Sequence, residues 1–174
     1  MGFSKEQLLL EYTKCVRNTE YALRTYLQTY DNTQSKYVPL ELFPDQVKLI
    51  RDYEEHNENI AKKYRQAGVS TVTAAWISKK LAFALKNKPE KVLCIANKLD
   101  TAVEFANKVR GFIDQWPTWV GITYSSEKNS QRHFKISNGC EVKAVATSKD
   151  ALRGYTPTIL IFRSEEHTSE LQSR

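Results

Sequence analysis

Hydrophobic residues recur at helical spacing through the first part of the chain. Over residues 5–17 the apolar positions are three to four residues apart, and the hydroxyl of Ser4 is suited to cap the first turn. A second helix is predicted over 20–30 from a similar run of tyrosines and leucines. The polar stretch 31–36 is interpreted as a linker, so that residues 1–36 form an N-terminal helical segment.

Beyond residue 37 the pattern changes to alternating extended and helical segments. An extended run at 38–43 precedes Pro44, which suits the first turn of a helix over 45–56. The elements predicted after it are a strand near 59–64, a helix near 71–86, a strand over 91–96 and a helix near 99–114. Strand–helix–strand alternation implies a parallel sheet with right-handed crossovers.

Two further extended elements are predicted near the end of the chain. Residues 134–145 alternate in polarity around Asn138-Gly139, and Asn-Gly between alternating runs is a strong signal for a β-hairpin. The apolar run 158–162 is typical of a buried parallel strand.

The segment between the strand near 59–64 and the helix near 71–86 carries the main candidate chemistry. It reads Arg65-Gln66-Ala67-Gly68-Val69-Ser70-Thr71. A glycine followed by Ser-Thr at a helix start is the layout of a phosphate-binding loop, which wraps an anion with backbone N–H groups. Val69 stands where the standard pattern has lysine, so Arg65 is the predicted phosphate-binding cation and Ser70 the predicted Mg²⁺ ligand. The predicted fold is an α/β, P-loop NTPase-type sheet, incomplete, with an N-terminal helical appendage and a β-hairpin insertion.

Composition changes this picture little. Apolar residues make up 41% of the chain and charged residues 26%, values typical of a folded domain, and the net charge of +6 suits nucleotide or nucleic-acid partners without requiring them. The three cysteines are far apart, which favours free thiols in an intracellular protein. No apolar stretch approaches 18 residues, so neither a membrane span nor a membrane partner is expected. The isolated histidines and Trp76 are interpreted as structural.

Four segments together resemble the large terminase subunit of tailed bacteriophages, specifically the myovirus type of DNA-packaging motor. They are residues 37–46, 65–71, 137–142 and 151–162, and they occur in the family's order. The resemblance covers residues 37–162. Each segment is modest alone, and the specificity comes from their combination.

The resemblance implies an ATP hydrolase that packages viral double-stranded DNA into proheads, with ATP and Mg²⁺ as its cofactors. It implies that Gln46 contacts adenine and that Arg65 of the deviant loop is functional. Its expected partners are a portal protein and a small terminase subunit, with several copies assembled at the portal, in the cytoplasm of the bacterial host.

The resemblance also implies Asp-Glu directly after Phe162, because such ATPases hold the metal and orient water with these carboxylates. Arg163 and Ser164 stand there instead. The string from Arg163 to Ser173 reads like an in-frame translation of a common sequencing adapter. We therefore interpret 37–162 as a partial ATPase domain and 163–174 as an artefactual tail. A longer parent protein is expected to hydrolyse ATP and to carry a nuclease domain, whereas this chain is expected to be inactive.

Two alternatives remain open on the sequence. One is a fragment of a helicase-like ATPase that depends on nucleic acid, and the other is a non-enzymatic DNA-binding module with a decayed loop. The natural residues after Phe162 distinguish them, because helicases typically end the Asp-Glu motif with His or Asp, and a decayed module need not carry Asp-Glu.

Overall fold

The computed structural model describes residues 4–31, 33–61, 68–148 and 154–163. In these ranges the helices are α1 Lys5–Arg17, α2 Thr19–Tyr26, α3 Pro44–Glu55, α4 Val69–Ala82 and α5 Leu99–Ile113, with a short 3-10 helix at Thr118–Val120. The strands are β1 Gln28–Asp31, β2 Lys36–Pro39, β3 Lys91–Ala96, β4 Tyr124–Asn129, β5 His133–Ile136, β6 Glu141–Ala146 and β7 Ile159–Arg163. None of these helices combines the length and apolar character needed to cross a membrane.

The chain is α/β, with helices packed on a mixed five-stranded sheet of order β4-β5-β6-β3-β7. Strand β3 lies parallel to both β6 and β7, which confirms the predicted parallel arrangement. The last strand was predicted to be buried, and this was wrong, because β7 is at the edge of the sheet and leaves Leu160 and Phe162 exposed. Strands β4 and β5 run antiparallel and extend the sheet at one side. The sequence did not predict β4, because its residues are almost all polar and lack an apolar alternation.

The hairpin predicted around Asn138-Gly139 is confirmed as β5 and β6. Gly139 has φ of +93°, a conformation that side-chain-bearing residues rarely adopt. The turn also caps α4, since the Asn138 amide donates to the carbonyl of Leu81 at 2.7 Å and to that of Ala84 at 3.4 Å. Helix α4 therefore ends beside the start of β6.

The N-terminal region departs from its prediction. Helix α2 ends at Tyr26, and Gln28–Asp31 pairs with Lys36–Pro39 in an antiparallel hairpin. The stretch predicted to be a linker instead joins the two strands, since Asp31 pairs with Lys36 and residues 33–35 form a turn. The Asp31 carboxylate accepts the backbone N–H of Thr33 and so folds the chain back. Tyr30, which was predicted to end the second helix, therefore belongs to a strand, where its ring packs against that of Tyr37 across the pair.

Helix α4 lies at the centre of the hydrophobic core. Ten of its 14 residues are buried, and it packs on α2, α3 and α5. Cys15 and Leu23 of the first two helices belong to the same core as α4 and β3. Trp76 is 7% exposed, which confirms its structural interpretation. All three cysteines are free and buried, and burial raises the pKa of the Cys15 thiol to about 11.

The direction of α4 relative to the sheet follows from its two ends. Its last turn lies beside the β5–β6 turn and the start of β3, as the hydrogen bonds from Asn138 and the contact of Gly139 with Pro89 indicate. A helix of 14 residues places its first turn about 20 Å from this edge. Helix α5, which packs along α4, begins directly after the carboxyl end of β3.

Candidate nucleotide-binding site

The first turn of α4 is built around Gly68. This residue caps the helix in the left-handed conformation, with φ of 70°, and its carbonyl accepts the N–H groups of Thr71 and Val72 at 3.0 Å each. Ser70 and Thr71 are half-buried in this turn. At a helix start, the backbone N–H groups that precede these hydrogen bonds have no partner within the helix and carry partial positive charge, so this turn is chemically suited to an anion.

Gln46 lies against this turn. It is the third residue of α3, it is only 8% exposed, and its Oε1 accepts the backbone N–H of Phe43 at 3.1 Å. A Cβ atom on Gly68 would stand 2.5 Å from the Gln46 Nε2, well inside van der Waals contact. The positive φ favours glycine here, and any side chain at this position would also require the end of the Gln46 side chain to move. Two residues that the sequence assigned to one site are neighbours.

A second contact joins the last turn of α3 to α4, about one turn beyond Gly68. The Tyr53 hydroxyl of α3 shares a hydrogen bond of 2.9 Å with the hydroxyl of Thr73, which also donates to the carbonyl of Val69 at 2.7 Å. The ring of Tyr53 lies 5.0 Å from that of Trp76. Burial raises the pKa of Tyr53, so its hydroxyl remains protonated and available for this contact.

Part of the predicted loop lies outside the described residues. Arg65, Gln66 and Ala67 are among these positions, as are Lys62–Tyr64 of the strand predicted near 59–64. The first part of that strand was predicted wrongly, because residues 59–61 form no strand and Ile60 is fully exposed at 100%. A single isoleucine among polar residues offers no apolar face to bury, and the Asn59 amide instead turns back to the carbonyl of His56.

The last strand ends on a cation. Strand β7 extends to Arg163, one residue beyond the predicted run, and Arg163 pairs in register with Ala96. Its guanidinium lies 5.5 Å from the centre of the Phe105 ring on α5. This is the position at which the resemblance implies a metal-holding aspartate. Within the described ranges no group of three or more His, Cys, Asp or Glu residues is arranged to hold a metal.

A polar cluster on the sheet was missed by the sequence interpretation. The Glu141 carboxylate, 9% exposed, accepts from His133 Nε2 at 3.0 Å and lies 3.5 Å from Lys128 Nζ. His133 was interpreted as an isolated structural histidine, and its contact with Glu141 was not predicted. The signal was present, because the Asn-Gly turn fixes the hairpin register and the alternation then puts His133 and Glu141 on the same face.

This cluster predicts acid sensitivity. Burial opposes ionisation of Glu141, but the hydrogen bond from His133 and the charge of Lys128 outweigh it and hold the pKa of the carboxyl below its ordinary value of 4.5. A depressed pKa in the folded state stabilises the fold above the unfolded pKa, and this contribution is lost as pH falls through the folded pKa. We expect Glu141→Gln to lower the free energy of unfolding at pH 7 by about 1–2 kcal/mol and to flatten its decline below pH about 4.5.

Denaturant titrations of unfolding from pH 7 to pH 3 measure this effect. Glu104→Gln is the matched control, because Glu104 is exposed on α5. If the free energy of unfolding of Glu141→Gln fell between pH 7 and pH 3 as steeply as that of the unmodified chain, the cluster would not contribute to acid sensitivity.

The chain was also compared with known proteins. No protein-family model matches it, and a search of curated proteins found no relative. The case for a function rests on the residues and their arrangement.

Proposed function

We propose that this chain is the ATP-binding part of a DNA-packaging motor of the large-terminase type. The observation that carries the proposal is the contact between Gln46 and Gly68. These residues belong to the two segments that the resemblance assigns to adenine and to phosphate, and they come from different helices. Their meeting at the first turn of α4 is what a shared nucleotide site requires.

The layout of the helices and the sheet gives further support. Helix α4 ends beside the amino end of β6, and α5 starts directly after the carboxyl end of β3. In open α/β sheets ligands bind outside the carboxyl ends of the strands, and phosphates bind at helix starts. The start of α4 has the local geometry of such a phosphate site.

Each predicted residue has a defined role in this proposal. Backbone N–H groups of the segment from Gln66 to Thr71, with Ala67, Gly68 and Val69 between them, bind the phosphates. The Ser70 hydroxyl ligates Mg²⁺, the Arg65 guanidinium offsets the phosphate charge in place of the usual lysine, and Gln46 binds the adenine edge. Mg·ATP supplies the phosphoanhydride bond whose hydrolysis drives DNA movement in motors of this class.

The proposal extends to partners and to activity. The partners would be viral double-stranded DNA, a portal protein, a small terminase subunit and further copies of the motor, all in the bacterial host cytoplasm. Arg163 and Ser164 occupy the positions where hydrolysis needs Asp-Glu. We therefore expect this chain to bind Mg·ATP without releasing phosphate above background.

Ser70→Ala tests the proposed metal ligand. Because the hydroxyl would bind Mg²⁺ and not the base, the substitution should weaken ATP binding about tenfold with Mg²⁺ present and hardly at all in a chelator, an effect equivalent to about 1.4 kcal/mol. Calorimetric titration with ATP in both conditions measures it. Ser126→Ala, at an exposed position of β4, is the matched control. No ATP binding by the unmodified chain, or equal binding by Ser70→Ala, would contradict the proposal.

A further inference from the structure

A surface cleft of about 420 Å³ lies between the β1–β2 hairpin, α5 and the start of α4. Its lining includes Tyr30 and Tyr37 on the hairpin, Thr71 in the first turn of α4, and Lys108 and Gln115 on α5. These side chains come from three separate parts of the chain. Apart from Thr71, which ends the predicted phosphate loop, these residues are not explained by the proposed phosphate site.

The two tyrosines are the unusual feature of this cleft. They are direct partners across the hairpin, with ring centres 5.4 Å apart and planes at 73°. Tyr30 is 50% exposed and Tyr37 is 64% exposed, so neither ring is used mainly to fill the core. Because the rings are nearly perpendicular, a flat ligand can stack on the face of one while the edge of the other bounds it.

The hairpin that carries the tyrosines is firmly placed. Its base is closed by a hydrogen bond of 2.9 Å from the Leu40 N–H to the Leu27 carbonyl. The Gln28 N–H donates to the side-chain oxygen of Gln115 at 2.6 Å, which fixes the hairpin to α5. The tyrosine pair is therefore held at a set distance from α5, as a preorganised binding surface requires.

The chemistry of the cleft indicates its ligand. Apart from the tyrosines, Phe112 and Gly111, its described lining offers hydroxyl and amide groups and a single cation, Lys108. A groove for a nucleic-acid backbone would need several cations, whereas one aromatic platform, neutral polar groups and one cation suit a nucleobase with an attached phosphate. We propose that this cleft binds a nucleobase, stacked on Tyr37, with Lys108 toward its phosphate.

This site adjoins the proposed phosphate site at Thr71, but its stacking surface and its cation lie outside that site. The base can belong to a mononucleotide or to an unpaired nucleotide of a strand, and the two sources share the stacking chemistry. The probes are therefore adenosine, AMP and a short single-stranded oligodeoxyadenylate, each titrated calorimetrically into the full chain. Tighter binding of AMP would identify a mononucleotide site, and tighter binding of the oligomer would identify a strand site.

Tyr37→Ala should weaken the binding of AMP about tenfold, in line with the loss of one stacked base, whereas Tyr37→Phe should retain it within about threefold. Phe162→Ala is the matched control, because Phe162 is 68% exposed on β7 and away from the cleft. Lys108→Gln should weaken AMP but not adenosine, and this comparison decides the matter if Tyr37→Ala fails to fold.

The inference is overturned if Tyr37→Ala binds AMP as the unmodified chain does, or if Phe162→Ala loses binding equally. It is also overturned if adenosine, AMP and the oligomer all fail to bind at millimolar concentration. Failure of the ATP proposal is distinguishable, because Ser70→Ala would then leave Mg·ATP binding unchanged while adenosine binding still depended on Tyr37.

Discussion

Replacement of Arg65 by alanine is expected to weaken Mg·ATP binding at least tenfold. The proposed loop has Val69 where the usual lysine stands, so Arg65 is the predicted source of positive charge for the phosphates. A hydrogen bond to a charged group contributes about 1.5–3 kcal/mol, which corresponds to a loss of roughly 10- to 150-fold. Arg65→Lys should recover only part of the affinity, because an ammonium cannot bind two phosphate oxygens in a planar fork.

Val69→Ala is the matched control for Arg65→Ala. Its role would be limited to a backbone N–H, which alanine keeps, so Mg·ATP affinity should change less than threefold, or about 0.6 kcal/mol. In a longer chain with Asp-Glu after Phe162, Arg65→Ala should also abolish most phosphate release. Normal affinity in Arg65→Ala, or a larger loss in Val69→Ala, would show that the charge is not supplied from position 65.

Replacement of Gly68 by alanine is expected to damage both the fold and the nucleotide site. A residue with a Cβ pays roughly 1–2 kcal/mol for the left-handed conformation at this position. The new Cβ would also displace the Gln46 amide, which lies 2.5 Å away, and break its hydrogen bond to Phe43. We expect the free energy of unfolding to fall by about 2 kcal/mol and the affinity for Mg·ATP to fall tenfold or more.

Gly121→Ala separates the effect of backbone strain from that of the collision with Gln46. Gly121 has φ of 75°, close to that of Gly68, but no atom lies within 4 Å of its would-be Cβ. It should therefore lose only about 1 kcal/mol from backbone strain and keep its nucleotide affinity. Combining Gly68→Ala with Gln46→Ala should recover stability relative to the sum of the two single changes, because the collision is removed. Additive losses in chemical denaturation would contradict the contact.

Most of the α/β core could be predicted, and the reason lies in strong local patterns. Strand β3 was predicted at its observed bounds, because a continuous apolar run this short is typical of a buried strand and is shorter than most helices. Helix α5 was predicted within a residue for a similar reason, since its apolar stripe ends at Trp116-Pro117. The hairpin of β5 and β6 followed from Asn-Gly.

The secondary-structure predictions failed where the local sequence does not decide between a helix, a strand and a loop. Tyr30 fits the helical stripe of α2 as well as a strand, and only its pairing with Tyr37 decides between the two. Strand β4 is held by its partner β5 and not by its own sequence. Propensity and periodicity contain no information about such pairing.

The candidate site, like the fold, could be predicted from the sequence only in part. The loop that includes Gly68 and Ser70 was recognisable because a glycine and a hydroxyl pair at a helix start have a local chemical meaning. The nearness of Gln46 to Gly68 was not readable from spacing, because it depends on how α3 packs against α4 through Tyr53. The cleft was not predicted, because Tyr30 had been assigned to a helix and residues 31–36 to a linker.

The central claim is that the first turn of α4 binds the phosphates of ATP, and amide NMR of the full chain tests it most directly. In a titration with Mg·ATP, the largest shifts should fall on the backbone amides of Gly68, Ser70 and Thr71 and on the side-chain amide of Gln46. Mg·tripolyphosphate should reproduce the backbone shifts without the shift at Gln46. Shifts confined to other parts of the chain, or no shifts at millimolar Mg·ATP, would contradict the claim.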